Sequence, residues 1–125
     1  MNSVLACTGE HLLADFYGVL VSRLRDGHAL ELLLRRAASL AGARVLSSHF
    51  HRFGEEGGVT GVVILAESHI SIHTWPESGF AAIDIFMCGS ARPAKALEQL
   101  RLMLEPARQS VHAMRRGLAE AQIGA

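Results

Sequence analysis

The chain has 125 residues, half of them apolar and 19% charged, with 12 Lys plus Arg against 12 Asp plus Glu. That length fits one domain, 1–125, with one core and little room for a separate cofactor lobe. The even charge balance argues against nucleic acid or an anionic membrane surface as partner, and no apolar run approaches the ~20 residues that span a bilayer.

Val4-Leu5-Ala6-Cys7 superficially resembles a lipoprotein cleavage site, but neither a basic nor an apolar segment precedes it. Without a signal peptide a cytoplasmic location is expected. Cys7 and Cys88, which lack the spacing of a zinc site, are then expected to stay reduced. Residues 8–19 carry the apolar and aromatic run His11-Leu-Leu-Ala-Asp-Phe-Tyr17, ended by Gly18, and read as a strand. From about Asp26, Leu30, Leu33, Leu34, Ala37, Ala38 and Ala41 recur at helical spacing, and Gly42 is a stop. Residues 45–53 and 59–66 are rich in β-branched side chains and flank Gly54-Glu-Glu-Gly-Gly58, which predicts a hairpin with a flexible turn.

The next strand, 69–75, alternates: His69, Ser71, His73 and Trp75 share one face, Ile70 and Ile72 the other, and Pro76 ends it. Residues 79–87 read as a further strand, with Asp84, Phe86 and Cys88 on a common face. Pro93 then opens a helix marked by Leu97, Leu100 and Leu104, for which Arg92 is a poor cap. Residues 110–114 read as a short edge strand, and the last residues are expected to fray. These elements predict an α/β fold of the α+β kind, an antiparallel sheet with two helices on one face. The uncovered face predicts association.

Chemistry concentrates in Glu67-Ser-His-Ile-Ser-Ile-His73-Thr-Trp75-Pro-Glu77, with Cys88-Gly89 one strand further on. A serine, a histidine five residues later and a cysteine twenty residues later supply a nucleophile, a base and an acid, a grouping no packing rule requires. Bland readings stand beside it. Ser68 fits a solvated strand serine, His73 a histidine bonded to a backbone carbonyl, Cys88 a small buried hydrophobe and Trp75 a core aromatic. His49, His51, His69 and His73 also admit a histidine-rich metal-binding β module, although carboxylate or cysteine ligands do not accompany them at recognisable spacing. Spacing alone leaves these readings open.

The same residues resemble the small prokaryotic S-adenosylmethionine decarboxylases, proenzymes that make a pyruvoyl cofactor from an internal serine. The resemblance runs through 11–18, His51-Arg-Phe53, Gly58-Val-Thr-Gly-Val-Val63, 67–77 and 79–89. It implies that Ser68 is the pyruvoyl precursor and Schiff-base position, that Glu67 is the carbonyl side of the cut, and that self-cleavage yields 1–67 and 68–125. It further implies His73 as processing base, Thr60 as an assisting hydroxyl and Cys88 as proton donor in turnover. Phe53 and Trp75 match adenine-side aromatics and Glu77 a ribose ligand; no metal is implied. A homodimer stacked as an αββα sandwich, with sites near its interface and a product feeding spermidine synthesis, completes the expectation. Four positions depart from the family pattern: Thr60 replaces serine, Glu10 a basic residue and Ser78 an aromatic, and the turn after Phe53 is one residue longer and carries Glu55 and Glu56. That acidic turn keeps arginine or ornithine open as an alternative substrate, while a solvated turn is the simpler reading.

Overall fold

The computed structural model describes residues 8–118; the readings of Val4–Cys7 and of the last seven residues fall outside them. Six strands form one sheet: β1 (Gly9–Tyr17), β2 (Val45–Arg52), β3 (Val59–Leu65), β4 (Ser68–Trp75), β5 (Phe80–Cys88) and β6 (Arg108–Arg116). Their order is β2-β3-β4-β5-β1-β6, and every neighbouring pair is antiparallel. The helices are α1 (Val21–Arg25), α2 (Gly27–Leu40) and α3 (Pro93–Leu104), with a 3-10 turn at Pro76–Ser78 between β4 and β5.

Alternation decides which face is covered. Leu12, Ala14 and Phe16 of β1, Ile70 and Ile72 of β4, and Ile83, Ile85 and Met87 of β5 are buried against Leu24 of α1, Leu30 and Leu34 of α2, and Leu100 and Leu104 of α3. Each of the Leu, Ile, Phe and Met side chains here contributes about 1.5–3 kcal/mol by leaving water, so the sheet's helical side is strongly specified. Asp26 accepts the Ala29 N–H at 3.0 Å and caps α2, whereas α3 starts at Pro93 without a side-chain cap, as Arg92 predicts. No helix among the described residues is long and apolar enough to cross a membrane.

The sequence predicts two helices, and the described residues form three. Five-residue α1 is too short for periodicity and has no capping side chain, yet Leu24 is fully buried and fixes it to the core. β6 is also longer than the expected 110–114. It is exposed along its whole length, so it lacks the one-sided apolar alternation that announces a half-buried strand. No helix among the described residues covers the other face of the sheet, and Leu13, Ile64, Trp75 and Met114 are left exposed on it.

Candidate active site

The expected residues fall into two groups at opposite ends of β4. At the first end, Ala66 and Glu67 connect β3 to β4, with Leu65 opposite Ser68. Glu67 has φ 68°, a left-handed conformation that costs a non-glycine residue about 1 kcal/mol or more. Cys88, the last residue of β5, donates its thiol to the Glu67 carbonyl at 3.1 Å and lies 3.9 Å from the Glu67 carboxylate. Ser68 follows at once and borders a shallow recess with Val62, Ile64, His69 and Phe86. The peptide bond expected to break thus sits in a strained turn, with a hydrogen-bond donor on its carbonyl.

At the second end, Thr60 of β3 stands directly across from His73 of β4, and Thr60 Oγ1 lies 3.1 Å from His73 Nδ1. Phe53, Thr60, His73, Trp75 and Glu77 line one pocket of about 320 Å³. The expected adenine and ribose contacts and the processing pair therefore meet in one place. Trp75 is held by stacking on Phe80, which stacks on Tyr17, and the Arg108 guanidinium lies 4.2 Å above the Tyr17 ring. Sequence reading missed this ladder. Its signal was available, because Trp75 and Phe80 flank a tight turn and pair across strands on the open face.

Ser68 and His73 are not brought together. They are five residues apart on one extended strand, a separation of roughly 16–17 Å at the usual rise, several times the ~3 Å that proton transfer requires.

Between the two ends lies a cluster the sequence did not single out. Ser71 Oγ donates to Asp84 at 3.4 Å, and the His11 and His69 rings meet edge to face at 6.3 Å. His11 Nε2 lies 3.6 Å from Asp84 Oδ1, an ion-pair separation too long for a hydrogen bond, and it has no hydrogen-bond partner among the described residues. Burial and then the neighbouring His11 hold the His69 pKa below the ordinary value of 6.5, with Asp84 opposing them. Among the described residues no three His, Cys, Asp or Glu side chains converge as a metal-holding set, and His49 and His51 stand on β2 apart from His69.

Residues 10–117 match the S-adenosylmethionine decarboxylase family profile. The chain belongs to that family. It is 46% identical over 110 residues to the S-adenosylmethionine decarboxylase proenzyme of Persephonella marina, covering 87% of this chain and 82% of the relative. To the proenzyme of Aquifex aeolicus it is 42% identical over 113 residues, covering 90% and 83%. The crystal structure of the adenosylmethionine decarboxylase from Aquifex aeolicus superimposes with a TM-score of 0.84 at 39% identity, covering 91% of this chain and 94% of that one. Family membership makes the chain a decarboxylase of the proenzyme type and fixes its α+β architecture. The matched span includes both end groups of the open face.

Proposed function

We propose that the chain is a cytoplasmic, self-processing, pyruvoyl-dependent S-adenosylmethionine decarboxylase, working as a homodimer and supplying spermidine synthesis. The observation that carries this reading is the Cys88 thiol resting on the carbonyl of left-handed Glu67, immediately before Ser68. Ser68 Oγ attacks the Glu67 carbonyl carbon, the developing oxyanion takes the Cys88 hydrogen bond, and the amide nitrogen is expelled. An ester replaces the amide, and the strained turn relaxes. Removal of the Ser68 Cα proton then breaks the Cβ–Oγ bond and frees the Glu67 carboxylate. The dehydroalanine left behind takes up water and loses ammonia, leaving a pyruvoyl group at the new terminus. When formed, that group supplies a sink for the electrons released with carbon dioxide.

The Cα proton needs a base, and His73 of the same chain is out of reach. A two-fold axis lying between two stacked open faces and running across the strands reverses strand direction, so the first end of one copy lies over the second end of the other. His73 and Thr60 of the partner subunit then serve Ser68. The same superposition sets Phe53, Trp75 and Glu77 of the partner subunit beside the reacting centre, where Cys88 returns the proton after decarboxylation. Exposed apolar residues on the open face agree with such burial.

The aromatic pocket favours an adenosyl substrate over arginine or ornithine. Phe53 and Trp75 offer faces to a purine and Glu77 offers acceptors to ribose hydroxyls. Of the acidic turn, Glu56 already pairs with Arg25 at 2.6 Å. The test is carbon dioxide release from carboxyl-labelled substrates by fully cleaved protein. Release from S-adenosylmethionine, lowered about ten- to a hundredfold in kcat/KM by Glu77→Gln, supports the reading. Release from arginine or ornithine with none from S-adenosylmethionine refutes the substrate. An intact 13.5 kDa band with stoichiometric zinc refutes the enzyme in favour of the metal module.

A further inference from the structure

Phe53 is 57% exposed and stands at the mouth of a turn, Gly54-Glu-Glu-Gly-Gly58, that is three-fifths glycine. Glycine is required where the turn closes. A Cβ on Gly57 would meet the Phe53 carbonyl at 1.7 Å, and one on Gly58 would meet the Thr74 carbonyl at 2.0 Å. The backbone that makes this closure possible is also the backbone least able to hold an aromatic ring still. Two ties within the turn region are local, Phe53 N–H to Gly58 O at 2.9 Å and Arg52 Nε to Gly54 O at 3.0 Å. The third reaches outside it. Arg25 Nη1, at the end of α1, meets Glu56 Oε1 at 2.6 Å.

Arg25 is a firm anchor because of its neighbour. The buried Thr74 hydroxyl donates to the Leu24 carbonyl at 2.7 Å while accepting the Val59 N–H at 2.8 Å, and the Leu24 side chain is fully buried. Thr74 itself lies between His73 and Trp75. One line of contacts therefore runs from the pocket wall through Thr74, Leu24 and Arg25 to Glu56 and back to the pocket's opposite aromatic.

We infer that the Arg25–Glu56 pair is a latch fixing Phe53 for the aromatic part of the substrate, so that Glu56 is a positioning residue and not a ligand of the substrate. This rests on the decarboxylase reading above. An exposed pair of this kind is weak, so the latch tunes binding and does not create it. Glu56→Gln and Arg25→Gln should each raise KM for S-adenosylmethionine roughly two- to fivefold, with kcat and the rate of self-cleavage unchanged. The double substitution should be no worse than either single one, and the exchange Arg25→Glu with Glu56→Arg should restore KM. Near 1 M salt, where the screening length is about 3 Å, wild-type KM should approach that of the variants. Additive single effects, or an exchange variant that binds no better than the singles, would overturn the latch. Loss of turnover on a basic amino acid in Glu56→Gln, unrescued by the exchange, would instead make Glu56 a substrate ligand and also overturn it. If the wild type does not turn over S-adenosylmethionine at all, the substrate reading fails first, and that is seen before any variant is made.

Discussion

The two ends of the open face are built on different principles. The Glu67–Ser68–Cys88 end is a strained backbone in contact with a thiol, beside a shallow, open recess. The Thr60–His73–Trp75 end is a cross-strand pair beside an aromatic stack, relaxed and shaped like a pocket. On the proposed reading the bond to be cut lies at one end and the processing base and substrate pocket at the other, with about 16 Å of strand between them. On that reading a copy of the chain on its own holds both halves of a site without joining them.

The hardest test of that division is complementation. Ser68→Ala and His73→Ala should each remain a single band on a denaturing gel, where the proposed self-cleavage would give the wild type fragments of 67 and 58 residues. Co-refolded in equal amounts, they should produce fragments, because a mixed dimer joins an intact Ser68 to an intact His73. About half of the His73→Ala chains should be cut and no Ser68→Ala chain. A mixture that stays uncut would return both groups to one chain and break the comparison.

Next in size is Cys88→Ala, which should lower turnover by about 10²- to 10⁴-fold and slow self-cleavage by a smaller factor. Cys88→Ser separates the two roles. Its hydroxyl still donates to the Glu67 carbonyl, so cleavage should recover while turnover stays low, and equal recovery of both would merge them. Strain is tested by Glu67→Gly in an uncleavable Ser68→Ala background. Relief of about 1 kcal/mol should raise the melting temperature by roughly 3–6 °C, and no rise would mean the turn holds no strain.

The smallest effect concerns the cluster between the ends. The His69 pKa lies below its ordinary value of 6.5, so the unfolded chain binds the proton more readily than the folded one. Stability should be complete above that value and fall as pH drops through it. The fall should be modest because the ring keeps contact with solvent, and His69→Gln should flatten it. A melting temperature that rises on acidification would reverse the assigned sign.

Much of this was legible in the sequence. The alternation of 69–75 announced which side chains of β4 face outward, and Gly54–Gly58 announced the hairpin, because both signals are periodic or local. Helix α1 was not legible, since its place depends on Leu24 reaching a core assembled by distant strands. The roles proposed for Ser68, His73 and Cys88 rest on their chemistry and a family resemblance. Their placement did not, although counting five residues along an extended strand would have shown that Ser68 and His73 stand apart. The central cluster was invisible because His11, His69 and Asp84 meet only through strand register.

The sheet order has a consequence for the cut molecule. A break after Glu67 leaves β2, β3 and β1 in one fragment and β4, β5 and β6 in the other, yet β1 lies between β5 and β6. The fragments are woven together, so neither can peel away as an intact block, and cleavage need not loosen the native state. Denaturation erases that history. The uncut chain refolds as one molecule, whereas the cut protein must first find its missing strands by collision, so its recovery should depend on concentration. Cleavage at that bond would thus turn a self-contained folding problem into an assembly problem, one that the precursor solves within a single chain.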